Sequence, residues 1–255
     1  MKFLKALAIV ASTAIVAACG GGDTEDRLDL RDPVVRFINA VPASINMTLY
    51  SGNSAQADAT SIAYKSATHY YDVGMGKATW SARSAADNAV VLASTELDPD
   101  RGNRYTLLAL PAATATGASL TVIKDPYNKG ITSDRARVRF VHAAATTAAV
   151  DAYIIPASQD LATATPTFGN LGFGAALPAS GNDSAEIDGG DYRLVLTLAG
   201  TKTVVFNAPT VTLGNNADWM LLAIPGATGL PNDMHVLVVQ GNGDQDGQTQ
   251  ELVSQ

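Results

Sequence analysis

Arg137-Val138-Arg139-Phe140-Val141-His142-Ala143, followed after a short gap by Val150-Asp151-Ala152-Tyr153, is a stretch that the chain carries twice. The first copy stands 103 residues upstream: Val34-Val35-Arg36-Phe37-Ile38-Asn39-Ala40, then Met47-Thr48-Leu49-Tyr50. A second block closes each copy, Arg104-Tyr105-Thr106-Leu107-Leu108-Ala109-Leu110-Pro111 against Asp218-Trp219-Met220-Leu221-Leu222-Ala223-Ile224-Pro225. The offset has grown to 114 there, so copy two holds a net 11 extra residues, which are expected within Ala157 to Pro178. Duplication sets the architecture: two units of about 100 residues each, tandem domains rather than one.

Within the repeated stretch side chains alternate in kind. Val35, Phe37 and Asn39 point one way and Arg36, Ile38 and Ala40 the other; Val138, Phe140 and His142 oppose Arg139, Val141 and Ala143. Helical spacing is almost absent elsewhere in the body. Short strands are predicted throughout, among them Met47 to Ser51, Thr79 to Arg83, Val150 to Ile155, Tyr192 to Leu198, Lys202 to Phe206, Thr210 to Leu213 and His235 to Gln240. Between them lie turn formers such as Val73-Gly74-Met75-Gly76 and Asp188-Gly189-Gly190-Asp191. Roughly seven strands per hundred residues predict an antiparallel β-sandwich for each unit.

The pattern R-F-V-H-A, then V-D-x-Y, a Gly-rich hairpin and a late Y/W-x-L-L-A strand resembles the domain of unknown function 4397 family. That family is found in exported proteins, often in tandem. The resemblance covers most of residues 33 to 242 and implies an all-β chain of two tandem antiparallel immunoglobulin-like sandwiches, with no established activity. Copy two fits better, because copy one has Asn39 in place of His and Thr48 in place of Asp. A role that needs both His142 and Asp151 therefore cannot belong to both domains.

The first residues read as an address. Met1-Lys2-Phe3-Leu4-Lys5 is a basic start, Ala6 to Val16 an apolar run too short to span a bilayer, and Ala17-Ala18 a small-residue cleavage point, giving a signal peptide over 1–18. Val16-Ala17-Ala18-Cys19 resembles the lipobox of bacterial lipoproteins, which implies lipid on Cys19, the chain's one cysteine. Several acyl chains would hold the protein on its membrane, since each buried methylene contributes about 0.8 kcal/mol. Residues 19–32 then form a flexible tether, and Gly20 after the cysteine favours the outer membrane of the cell envelope. Domain 1 is expected over 33–127, a short polar linker allowing hinge motion over 128–134, domain 2 over 135–242 and a fraying polar tail over 243–255.

Composition excludes some classes. Without Lys2 and Lys5, 15 basic side chains face 24 acidic ones, a net charge of −9, which is a poor counterion for nucleic acid. Charged residues make up only 16%, too few for disorder. Aromatics, at 6%, are too sparse for a broad stacking platform.

His142 and Asp151 are the most suggestive pair, an imidazole and a carboxylate that could act as a base and its orienter, yet no nucleophile motif accompanies them. The reading adopted places His142 at a strand end, its ring nitrogens bonded to loop backbone, with Asn39 doing the same in copy one. Arg36 and Arg139 are expected to cover a sheet edge, paired or snorkelling. Gly74-Met75-Gly76-Lys77-Ala78-Thr79 lacks the first glycine and the hydroxyl of a phosphate loop and reads as a hairpin turn into Trp80. Asn242-Gly243-Asp244-Gln245-Asp246-Gly247 spaces oxygens as a calcium loop does, but Val253 stands at the twelfth position, where a bidentate acid belongs. Asn242, Asp244 and Asp246 are thus weak calcium candidates in a solvated tail. No cofactor is expected. The function expected is a non-catalytic envelope lipoprotein that binds an unidentified envelope or extracellular partner or acts as a spacer; the rivals are a hydrolase using His142 and Asp151 and a calcium-dependent adhesion module.

Overall fold

The computed structural model describes residues 32–42, 45–112, 117–128, 133–228, 230 and 232–255. The signal peptide, Cys19, nearly all of the tether and the centre of the linker lie outside the described residues.

Copy one contributes β1 (Val34–Asn39), β2 (Met47–Ser51), β3 (Ser54–Ala55), β4 (Ser66–Ala67), β5 (Tyr71–Asp72), β6 (Ala78–Ser84), β7 (Val91–Leu97), β8 (Arg104–Pro111) and β9 (Ala118–Asp125). Copy two contributes β10 (Ala136–His142), β11 (Val150–Pro156), β12 (Phe168–Leu171), β13 (Ala176–Leu177), β14 (Ala185–Ile187), β15 (Gly190–Leu198), β16 (Val204–Leu213), β17 (Asp218–Pro225), β18 (Met234–Gln240) and β19 (Thr249–Leu252). There is no α-helix among the described residues. Each copy folds as two sheets. In copy one an inner sheet, β4-β1-β8-β9 with β5 also on β1, faces an outer sheet, β3-β2-β6-β7. In copy two the inner sheet is β13-β10-β17-β18-β19 with β14 also on β10, and the outer sheet is β12-β11-β15-β16.

The alternation of the repeated stretch explains the first core. Val35 and Phe37 turn toward Met47, Leu49, Trp80 and Ala82 of the outer sheet; Val138 and Phe140 likewise meet Val150, Ala152, Leu194 and Leu196. Two ladders depart from the antiparallel expectation. β1 runs parallel to β8, and β10 runs parallel to β17. Parallel neighbours need a long crossover, and here the chain passes through the outer sheet before returning. Lys202 to Phe206 and Thr210 to Leu213, predicted as separate strands, largely merge into β16 across Pro209. Proline is tolerated because β16 is an edge strand with a register shift beside it.

What the other faces of β1 and β10 bury was not anticipated. Every residue of both strands is buried. Ile38, Ala40, Leu108, Leu110 and Ile123 of one inner sheet form a single apolar cluster with Val141, Ala143, Leu222, Ile224 and Val239 of the other. By strand register these ten are five equivalent pairs, so the same patch of each copy meets itself about a pseudo-twofold axis, as an isologous dimer interface does. The molecule is a stack of four sheets, outer-inner-inner-outer. An apolar layer of this kind binds the copies, where the sequence reading expected a hinge.

The tail also departs from expectation. Residues 249–252 form β19 on the edge of β18, and Glu251 reaches Lys65 of copy one and His235 at 2.6 Å each. Gly247 adopts φ +79°, and a Cβ there would lie 2.5 Å from the His69 backbone nitrogen. Only glycine allows the tail so close to copy one.

Candidate functional site

Strand register also locates the extra residues of copy two. The offset is 103 at Tyr50 and Tyr153, 109 at Ala67 and Ala176, and 114 at Tyr71 and Ala185. The excess is therefore split, and only its first part lies wholly within the predicted Ala157 to Pro178. That part lays Leu161 and Ala164 on the outer face of the outer sheet, against Tyr153, Ile155 and Val195. The second part lengthens the loop from Leu177 to Ser184.

That loop grips Arg139. Its guanidinium donates to the carbonyls of Pro178, Ala179 and Asn182. The equivalent Arg36 is served differently, donating to Thr106 Oγ1 at 2.9 Å and the Gln240 carbonyl at 3.3 Å, with the Tyr70 ring 4.6 Å away. Arg36 and Arg139 are 3% and 1% exposed, so neither snorkels at a sheet edge as the sequence suggested. Both point into the space between the inner sheets.

Two further arginines join them at one end of this layer. Arg137 Nη2 meets Asp125 Oδ1 at 2.7 Å, and Arg104 Nη1 meets Asp218 Oδ2 at 3.1 Å. Arg104 and Asp218 occupy equivalent positions, so this pair bridges the pseudo-twofold axis. Tyr127 lies between them, with Arg104 3.4 Å and Arg137 4.2 Å from its ring centre, a cation–π arrangement that takes up positive charge where water is excluded. Burial would raise the Asp125 carboxyl, but Arg137 and then Arg139 hold it below the usual carboxylate range. Burial pushes Asp218 up, opposed by Arg137 and Arg104. This cluster went unseen in the sequence apart from Arg36 and Arg139, because Arg137 and Asp125 are brought together only by the fold.

His142 and Asp151 are each spoken for by the backbone. His142 Nδ1 accepts from the Ala144 N–H at 3.2 Å, so the proton is on Nε2, which donates to the Ala148 carbonyl at 3.0 Å. Burial holds its pKa below the ordinary value, keeping the ring neutral. Asn39 makes the equivalent first bond, its Oδ1 accepting from Val41 N–H, while its Nδ2 donates to a different loop at the Ile62 carbonyl, both at 3.1 Å. Asp151 accepts from the Asn170 N–H at 2.6 Å and the Gly200 N–H at 2.8 Å, one on each oxygen. Thr48, its counterpart, accepts from Ser61 N–H at 3.2 Å. In both copies these positions tie a strand to its following loops.

Among the calcium candidates, Asp246 turns one oxygen to the Tyr70 N–H of copy one at 2.7 Å, and the Asn242 amide donates to the Asn216 carbonyl. The Asp244 backbone carbonyl accepts from the Gln248 side chain at 3.4 Å. No group of three or more His, Cys, Asp or Glu able to hold a metal occurs among the described residues.

Fold and site together define a tandem β-sandwich protein whose polar, strand-end residues are used to hold loops and join its halves. Residues 33–153 match the family model described as domain of unknown function (DUF4397). The match takes in the whole first sandwich and continues into β11 of the second. A search of curated proteins gives no match.

Proposed function

We propose that this chain is a non-catalytic module of the cell envelope, carried on lipid at Cys19, that offers a rigid pair of sandwiches as a binding or spacing element. The observation that supports it is the commitment of His142 and Asp151. An imidazole whose two nitrogens and a carboxylate whose two oxygens all bond to backbone have no proton-transfer partner in common. Loops held on a rigid scaffold are suited to recognition, and the shared apolar layer keeps the two loop sets at a fixed spacing. The lipobox-like Val16 to Cys19 supports the anchor.

Two experiments test this reading. His142→Ala is expected to lower thermal stability while a screen with ester, peptide and glycoside substrates finds no turnover in the parent protein; turnover that the substitution abolishes, with stability kept, would overturn it. Cys19→Ala is expected to end labelling by a fatty-acid analogue and release the protein from membranes, and labelling that persists would refute the anchor.

A further inference from the structure

A groove of about 530 Å3 opens at one end of the first sandwich, beside the turn from β5 to β6. Its wall includes Ser51, Ser54, Gln56, Asp72, Met75 and Trp80. Trp80 is 2% exposed, and its indole Nε1 is buried with no hydrogen-bond partner among the described residues. A buried N–H left unpaired is unfavourable and unusual.

The duplication supplies an internal comparison. In copy two three positions equivalent to groove residues line a small apolar cavity of about 10 Å3 between the sheets. Ile154 stands where Ser51 does, Tyr192 where Ala78 does and Leu194 where Trp80 does. One copy has filled this space with hydrocarbon. The other holds it open and lines it with hydroxyl, amide and carboxylate groups.

We propose that this groove is a binding site for a small, uncharged, hydroxyl-rich molecule such as a monosaccharide or the end of a glycan. The chemistry of the wall selects that class. Lys77, the one cation of the wall among the described residues, is balanced by Glu96 at 2.7 Å. Asp72 is the single carboxylate of the wall, too few for a metal ion and well suited to accept from hydroxyls. A hydrocarbon would offer nothing to the polar groups of Ser51, Ser54 and Asp72. Neutral polyols offer donors to Asp72 and a C–H face to the exposed Met75 thioether.

The chain has two tryptophans, Trp80 in the groove and Trp219 in the second sandwich. Trp219→Phe therefore leaves one indole that reports on the groove alone. Titration of this variant with glucose, galactose, mannose and N-acetylglucosamine is expected to give a saturable change in Trp80 emission with at least one sugar, and none with sodium phosphate or acetate. Asp72→Ala is expected to weaken that binding roughly tenfold or more, whereas Glu186→Ala, at the equivalent position of copy two, should not. Saturation-transfer NMR on the unaltered chain with the same sugars provides a reading independent of the variant. Absence of any sugar signal in both measurements, or an affinity indifferent to Asp72→Ala, overturns the proposal. Either result leaves the non-catalytic reading of His142 and Asp151 standing.

Discussion

Arg36 and Arg139 descend from one position of one repeated unit, point into the same interior layer, and are neutralised by different means. Copy one covers its arginine with the Tyr70 ring and a hydroxyl, and copy two wraps its own in a loop five residues longer that supplies carbonyl oxygens. The partners of the cluster are unequal too. Asp125 of copy one faces Arg137 and Arg139 of copy two, while its register equivalent is Gly241, whose carbonyl accepts from Arg104. A symmetric contact between identical copies would place like charges together at the axis. Divergence has turned one such position into the Arg104–Asp218 pair. Once two copies are covalently tandem, each half of the contact can change separately, and charge complementarity can develop where symmetry alone would forbid it.

The strongest way to break this asymmetry is Asp125→Ala. It removes the carboxylate nearest two nearly inaccessible guanidinium groups, leaving Arg137 only its longer contact with Asp218 at 3.6 Å, and a loss of about 3–5 kcal/mol is expected on removing one partner of a buried pair, read from the midpoint of urea unfolding. Gly241→Ala, at the equivalent position, keeps the carbonyl and removes no charge, and its cost should be the smaller one of fitting a Cβ 3.2 Å from Arg36 Nη1.

Leu108→Ala and Leu222→Ala sharpen the symmetric part. Both side chains are fully buried in the layer between the inner sheets, so each should destabilise by about 2–5 kcal/mol, and by similar amounts. If the layer is shared, each substitution should lower the stability of both sandwiches, as followed by single-tryptophan variants that retain Trp80 or Trp219.

A smaller effect is expected at the strand ends. His142→Ala and Asn39→Ala each remove two bonds to loop backbone and should cost about 1–3 kcal/mol. His142→Asn, which imports the solution used by copy one, should recover part of that loss. The smallest effect is on pH dependence. The folded pKa of His142 lies below its ordinary 6.5, so below that pH the unfolded chain binds more protons than the folded one. This contribution to stability is complete above 6.5 and is lost progressively as pH falls from 6.5 toward the depressed folded value. The slope due to this residue should vanish in His142→Asn, as measured by unfolding midpoints across that range.

Some of this was legible in the residues. The alternation through Val35 and Phe37, and through Val138 and Phe140, located the two sandwich cores, and Asn39 standing in for His142 pointed to a loop-holding role. The four-sheet stack was not read, although a signal existed. Leu107 to Leu110 and Met220 to Ile224 are continuous apolar runs instead of alternating ones, as strands covered on both faces require. The arginines misled because a charge in such a strand is ordinarily a sign of solvent, and no spacing in the sequence announces that Asp125, Asp218, Tyr70 and Tyr127 will converge on them. The tail read as solvated because its polar residues, Asp246 and Glu251 among them, find their partners in copy one, far away in sequence.

The union of two sandwiches into one body is tested most directly by equilibrium unfolding in urea of two variants, Trp219→Phe and Trp80→Phe, whose remaining indoles report on the first and second copies respectively. Coincident transitions for both reporters, moved together when Asp125→Ala is added, are the expected result. Two separate transitions, with Asp125→Ala shifting only one of them, would contradict a shared core and return the chain to two sandwiches joined by a hinge.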